Sequence, residues 1–237
     1  YKRQEQGTNY SFGIVTELAE NVSFQWDAYQ MVLEEAVRSG SYQELVHQQG
    51  VCLYGDDFLN WLGGNLPPAD CNQVSDLLVR GSNIDPITQA TLSIGLIGHD
   101  SYLTWTKETE NAGDFRVSLA SSTIVRVNRQ EYASSPEVDL LEYFIYEPRS
   151  QQNLTISWSR EDHGLTLFAD RLGHMNMFQG KVSDPHITYN MSYGYDYSPD
   201  INLYLSVRNL TDVMPQKDGG FGYPYYYQGV FSVFGRY

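Results

Sequence analysis

Between Ile187 and Tyr197 every second residue is apolar or aromatic: Ile187, Tyr189, Met191, Tyr193, Tyr195 and Tyr197. Thr188, Asn190, Ser192, Gly194 and Asp196 alternate with them. A period of two gives a β-strand with one dry face and one wet face. The rhythm recurs through Tyr10, Phe12 and Ile14, through Val22, Phe24 and Trp26, and through Phe115, Val117 and Leu119. It returns at Leu154, Ile156 and Trp158, at Leu165 and Leu167, and at Ile201, Leu203, Leu205 and Val207. The pattern predicts nine strands: about 8–18, 22–35, a stretch within 87–107, 114–129, 150–160, 165–175, 187–197, 201–209, and one beginning near Gly229. The glycines at 95 and 98 suggest a bulge in the third.

The connections alternate in length. Ala19–Asn21, Glu110–Gly113, Glu161–Gly164 and Ser198–Asp200 are tight turns. The stretches 36–86, 130–149 and 210–227 are long, and 176–185 is intermediate. A transmembrane barrel sorts its connections in this way, with short turns facing the periplasm and long loops facing outside. Ten residues rising ~3.3 Å each and tilted about 45° climb roughly 23 Å, which fits an apolar band of about 25 Å. The expected fold class is therefore all-β, a transmembrane antiparallel β-barrel. A soluble all-β domain is the competing reading, but it has no reason to sort its loops. Nine strands would leave an open sheet in lipid with costly unpaired edges. Further strands are accordingly expected before Tyr1, and Tyr237, which stops inside an apparent strand, is not expected to be the true end.

Composition supports this picture. The chain of 237 residues carries 19 Tyr, 10 Phe and 4 Trp. These residues suit strands and the lipid–water boundary. The mean hydropathy of -0.41 is no obstacle, because alternate residues of a barrel face a polar lumen. No apolar run approaches the roughly 20 residues that a spanning helix needs. The net charge of -14 disfavours nucleic acid as a partner. The acid excess gathers in the long connections, as a solvated surface or one that meets cations and divalent-bridged lipopolysaccharide. Tyr1–Gln6 has no apolar segment of the signal-peptide kind, so any export signal is expected outside this sequence.

Val207-Arg208-Asn209-Leu210-Thr211-Asp212 resembles the penultimate-strand signature of TonB-dependent outer-membrane receptors, in which Phe usually stands at the place of Thr211. Tyr223-Pro224-Tyr225-Tyr226-Tyr227 and Phe234-Gly235-Arg236-Tyr237 resemble that family's last outer loop and the entry to its final strand. Pro148–Arg160 with Leu165–Leu167 resembles a hairpin common in the family, and Thr8–Gly13 resembles another of its barrel strands. The resemblance implies a barrel of about 22 strands, with residues 1–237 as the C-terminal portion of its wall. It also implies an N-terminal plug and a TonB-contacting segment outside this chain, linking it to the TonB–ExbB–ExbD system. The implied location is the bacterial outer membrane, with lipid and lipopolysaccharide as neighbours. The implied activity is uptake of a scarce nutrient such as an iron chelate, cobalamin or an oligosaccharide. A passive porin, a surface adhesin and an outer-membrane hydrolase are the alternatives.

Cys52 and Cys71 are the only cysteines, and both lie in the 36–86 loop. In an exported loop they are expected to form a disulfide, since the periplasm is oxidising. No histidines sit near them at ligand spacing, so no metal site is expected, and no cofactor. In the same loop Asp57 and Trp61 form an acidic–aromatic group that could touch a ligand or pack inside an Ω-type loop. The cluster Tyr223, Tyr225, Tyr226 and Tyr227 beside Gly219, Gly220 and Gly222 offers stacking surface and hydroxyls to a ligand. It equally suits an interfacial aromatic belt. Asn190 and Arg208, with Ser157, Asp196 and Asn202, are expected on the lumen wall, making reversible polar contacts. No hydrolase or phosphate-loop motif occurs, so no catalytic residue is expected and the chain is read as a non-enzyme.

Overall fold

The computed structural model describes residues 5–34, 37–39, 50–55, 71, 88–90, 93–130, 137–143, 147–177, 180–222, 225–226 and 229–231. Eight long strands form one antiparallel sheet: β1 (Gln6–Ala19), β2 (Val22–Glu34), β5 (Ser93–Lys107), β6 (Asp114–Gln130), β8 (Ser150–Arg160), β9 (His163–Leu172), β10 (His186–Ser198) and β11 (Ile201–Val207). They lie in chain order, so every neighbour is a sequence neighbour. Two short strands, β3 (Val37–Ser39) and β4 (Thr88–Ala90), pair with each other at the base of the largest loop. A third, β7 (Val138–Asp139), pairs with the end of β6 and leads into a helical turn, Leu140–Tyr143. Among the described residues the sheet is open, with β1 and β11 at its edges.

Register gives the sheet its meaning. Side chains directly opposite in an antiparallel pair share a face. Leu103, Leu119 and Leu154 are aligned across β5, β6 and β8. Phe115, Trp158, Leu165 and Tyr193 are aligned across β6, β8, β9 and β10. The other face aligns Thr104, Ser118 and Thr155, and Ser157, Thr166, Ser192 and Ser206. Tyr10, Phe12, Ile14, Leu203 and Leu205 are all exposed. The buried apolar side chains of the described residues are Leu140, Leu141, Met175, Met177 and Tyr226, and all five lie beyond the strand ends. The sheet therefore has no core of its own. A sandwich would pack the Tyr189–Tyr197 face against a second sheet, and no such layer exists among the described residues.

All four tight connections, residues 20–21, 108–113, 161–162 and 199–200, lie at one end of the sheet. The long ones lie at the other. The predicted strand ends hold to within a few residues, with three differences. The third predicted strand is two pieces, because Thr88–Ala90 leaves the sheet to pair with Val37–Ser39. The bulge lies where the glycines suggested, but its extra residue, Val125, is on β6 opposite Ile97 and Gly98. The predicted ninth strand is turn and bend at 229–231, and its remainder lies outside the described residues.

Two glycines are required by geometry. Gly98 is buried under the Tyr29 ring, and a Cβ there would meet the Tyr29 hydroxyl at 2.5 Å and the Thr123 carbonyl at 2.9 Å. Gly113 has φ +85°, and a Cβ would collide with the Ser159 carbonyl. Gly113→Ala is expected to destabilise by more than about 1 kcal/mol, read as a lower unfolding midpoint of the full-length protein in detergent. An unchanged midpoint would show that this turn can rearrange.

Candidate functional site

The wet face presents Gln25, Asp27, Asp100, Tyr102, Gln151 and Asn153 around a groove of about 390 Å³. Asp27 and Asp100 are directly opposite on β2 and β5. Like charges so placed repel. Asp27 leans away over Gly13, where any Cβ would collide with its carboxylate. Gln25 Nε2 donates to Asp27 Oδ2 at 2.7 Å and holds it there. Further along, Asp170 accepts from Asn153 Nδ2 at 2.5 Å and from Asn190 Nδ2 at 3.0 Å. Glu17, Asp114 and Asp196 share this face, against Arg116 and Arg129. The wall is thus polar and mainly acidic, which disfavours a strongly anionic solute.

Ser157, Asn190, Asp196 and Asn202 stand on this face, as the alternation predicts. Asn190 uses its amide structurally: it donates to Asp170, and its Oδ1 accepts the Asn209 N–H at 2.9 Å. Asn209, at φ 49°, closes a turn by exchanging two side-chain bonds of 3.0 Å with Val213. An Asn tolerates this left-handed backbone better than most residues. That gives the Asn of the Arg208–Asp212 motif a physical reason. Arg208 itself is exposed in the bend after β11.

At the long-loop end the connections pack on one another. Asp139 Oδ1 accepts from the N–H groups of Val127 (3.2 Å) and Leu141 (3.0 Å). Arg149 Nη2 and Asn176 Nδ2 both donate to the Leu141 carbonyl, at 3.2 and 2.6 Å. Asn176 thereby ties the loop after β9 to the loop after β6. Asp139→Ala would leave the buried Leu141 N–H without its acceptor, a loss of about 1–3 kcal/mol. Faster amide hydrogen exchange at Leu141, confined to this rim, is the expected readout; unchanged exchange would mean that another acceptor serves.

Of the tyrosine cluster, Tyr226 is 7% exposed and meets the Phe231 ring edge-on at 6.1 Å. It belongs to the packed rim. Tyr225 is 49% exposed, at φ 70°, with Lys217 Nζ 5.9 Å from its ring centre. Tyr223, Tyr227, Asp57 and Trp61 lie outside the described residues. Cys52 and Cys71 form the expected disulfide, with Cα atoms 5.4 Å apart. The sequence reading missed Asp139, Asp170 and Asn176. Only Asp170 carried a signal, its place on the wet side of a predicted strand. The methionines at 175 and 177 and His186 were also missed; with Met214 they line a second cavity, of about 300 Å³, in the rim.

No protein-family model matches the chain, and no curated protein matches it in sequence. Solved structures do match. The ferric enterobactin receptor of Pseudomonas aeruginosa aligns with 88% of the chain at 12% identity, with a TM-score of 0.51. The ferripyoverdine receptor of the outer membrane of the same organism aligns with 88% at 12% identity and TM-score 0.52. The copper transporter OprC aligns with 90% at 12% identity and TM-score 0.52. The chain spans about a quarter of these proteins, between 24% and 26% of their length. These neighbours are TonB-dependent outer-membrane receptors, and this chain has the fold of a segment of their barrel wall.

Proposed function

We propose that this chain is the C-terminal part of the barrel of an outer-membrane receptor that takes up a small nutrient by TonB-dependent transport. The observation that carries the reading is the register, which sorts the strands into one apolar and one polar face with every tight turn at one end. Such a sheet is stable with lipid on one side and an aqueous lumen on the other. The fold likeness to siderophore and copper receptors supports it. In this reading the plug and the TonB-contacting segment come from parts of the protein outside this chain. On the same reading the exposed Tyr225 is the ligand-contact candidate of the last loop; the other candidates, Tyr223, Tyr227, Asp57 and Trp61, lie outside the described residues. The wall supplies polar positions for passage and no bond chemistry.

The test is uptake by cells expressing the full-length protein. Nutrient accumulation is expected to fall to the level of receptor-free cells when TonB is deleted or the proton-motive force is collapsed. Accumulation that survives both treatments would point to a passive channel instead.

A further inference from the structure

Three of the chain's five methionines, Met175, Met177 and Met214, line one cavity of the rim together with His186. The convergence has a structural basis. Residues 175–177 and 181–183 pair antiparallel, held by Met177 N–H to Lys181 O at 2.7 Å, Ser183 N–H to Met175 O at 2.9 Å, and a bridge between Asn176 and Val182. Alternation puts Met175 and Met177 on one side and Asn176 on the other, where Asn176 reaches the Leu141 carbonyl. Met175 and Met177 are 3% and 5% exposed. His186 begins β10 on the wet face, in line with Thr188 and Asn190, so the cavity stands at the outer end of the lumen wall. The His186 ring meets Phe231 edge-on at 5.0 Å and makes no hydrogen bond among the described residues.

Packing explains the two buried methionines, but the same cavity is also lined by a half-exposed third, Met214, and by an imidazole with no hydrogen-bond partner among the described residues. Thioether sulfurs are soft donors, and imidazole is a good ligand for the same ions. Cu(I) and Ag(I) favour such sets. We propose that Met175, Met177, Met214 and His186 bind a soft monovalent metal ion of the Cu(I) class as cargo at the mouth of the barrel. Asp184 and Asp218 line the same cavity, the Asp218 carboxylate accepting the Gly220 N–H at 2.9 Å, and their negative charge suits a cation. So does the acidic wall below it. The proposal rests on the uptake reading above and gives it a substrate class.

The experiment is a titration of the purified full-length protein in detergent with Cu(I), against a chromophoric Cu(I) chelator, and separately with Ag(I). One equivalent of each ion is expected to bind. Met175→Leu combined with Met177→Leu preserves volume and is expected to lower Cu(I) affinity at least tenfold while leaving the unfolding midpoint close to wild type. Met214→Leu, at a half-exposed position, is expected to weaken binding without touching the buried pair, and decides the matter if the double variant does not fold. His186→Gln is expected to weaken binding too. Wild-type protein that takes up neither ion, or leucine variants that bind as tightly as wild type, would make the methionines packing residues only and overturn the proposal. The assay needs no TonB, so its failure would leave the uptake reading standing.

Discussion

Leu167→Arg is expected to cost about 2–4 kcal/mol of stability in lipid, while Thr166→Arg beside it costs little. Leu167 lies opposite Ile156 and Met191, near mid-height on the apolar face. Thr166 lies opposite Ser157 and Ser192 on the other. A guanidinium at the first position enters hydrocarbon, and at the second it enters water. Denaturant unfolding of the full-length protein in lipid vesicles separates the two. Equal costs would end the assignment of faces, and with it the membrane reading. Larger damage at Thr166 would mean that the polar face is the buried one.

Replacing Cys52 and Cys71 together by Ala is expected to remove ~3 kcal/mol from the ordering of the largest loop. This follows from the loop-closure entropy of a 19-residue separation. The effect stays local, because the sheet's own pairing makes no use of this bridge. Limited proteolysis is therefore the sensitive measurement: cleavage between residues 52 and 71 should quicken, with the barrel unfolding midpoint unchanged. A lowered midpoint would show that the loop props the wall. Unchanged cleavage would show that the loop is held by its packing alone.

The wall was legible in the sequence because a period of two is written locally. Residues such as Leu154, Ile156 and Trp158 declare their face without reference to any partner. The bulge was half legible: Gly95 and Gly98 marked the place, but which strand carries the extra residue depends on pairing. The rim was not legible, because its contacts join distant stretches. Asn176 meets Leu141 across 35 positions, and Met214 and Met175 come to line one cavity only through the fold. Tyr226 shows the limit of composition: its neighbours Gly222 and Tyr225 suggested an open aromatic surface, and the fold turns this one ring inward against Phe231.

The tight connections also bear on how such a wall is assembled. The strand pairs β1–β2, β5–β6, β8–β9 and β10–β11 are each joined by between two and six residues, as in 20–21 and 108–113. Each can zip as a local hairpin before it meets its neighbours, so the entropic barrier to first pairing is small. The bulky, charged connections all hang from the opposite tips. In the receptor reading proposed above, those tips would have to cross the hydrocarbon, and their passage is expected to be the slow event of biogenesis.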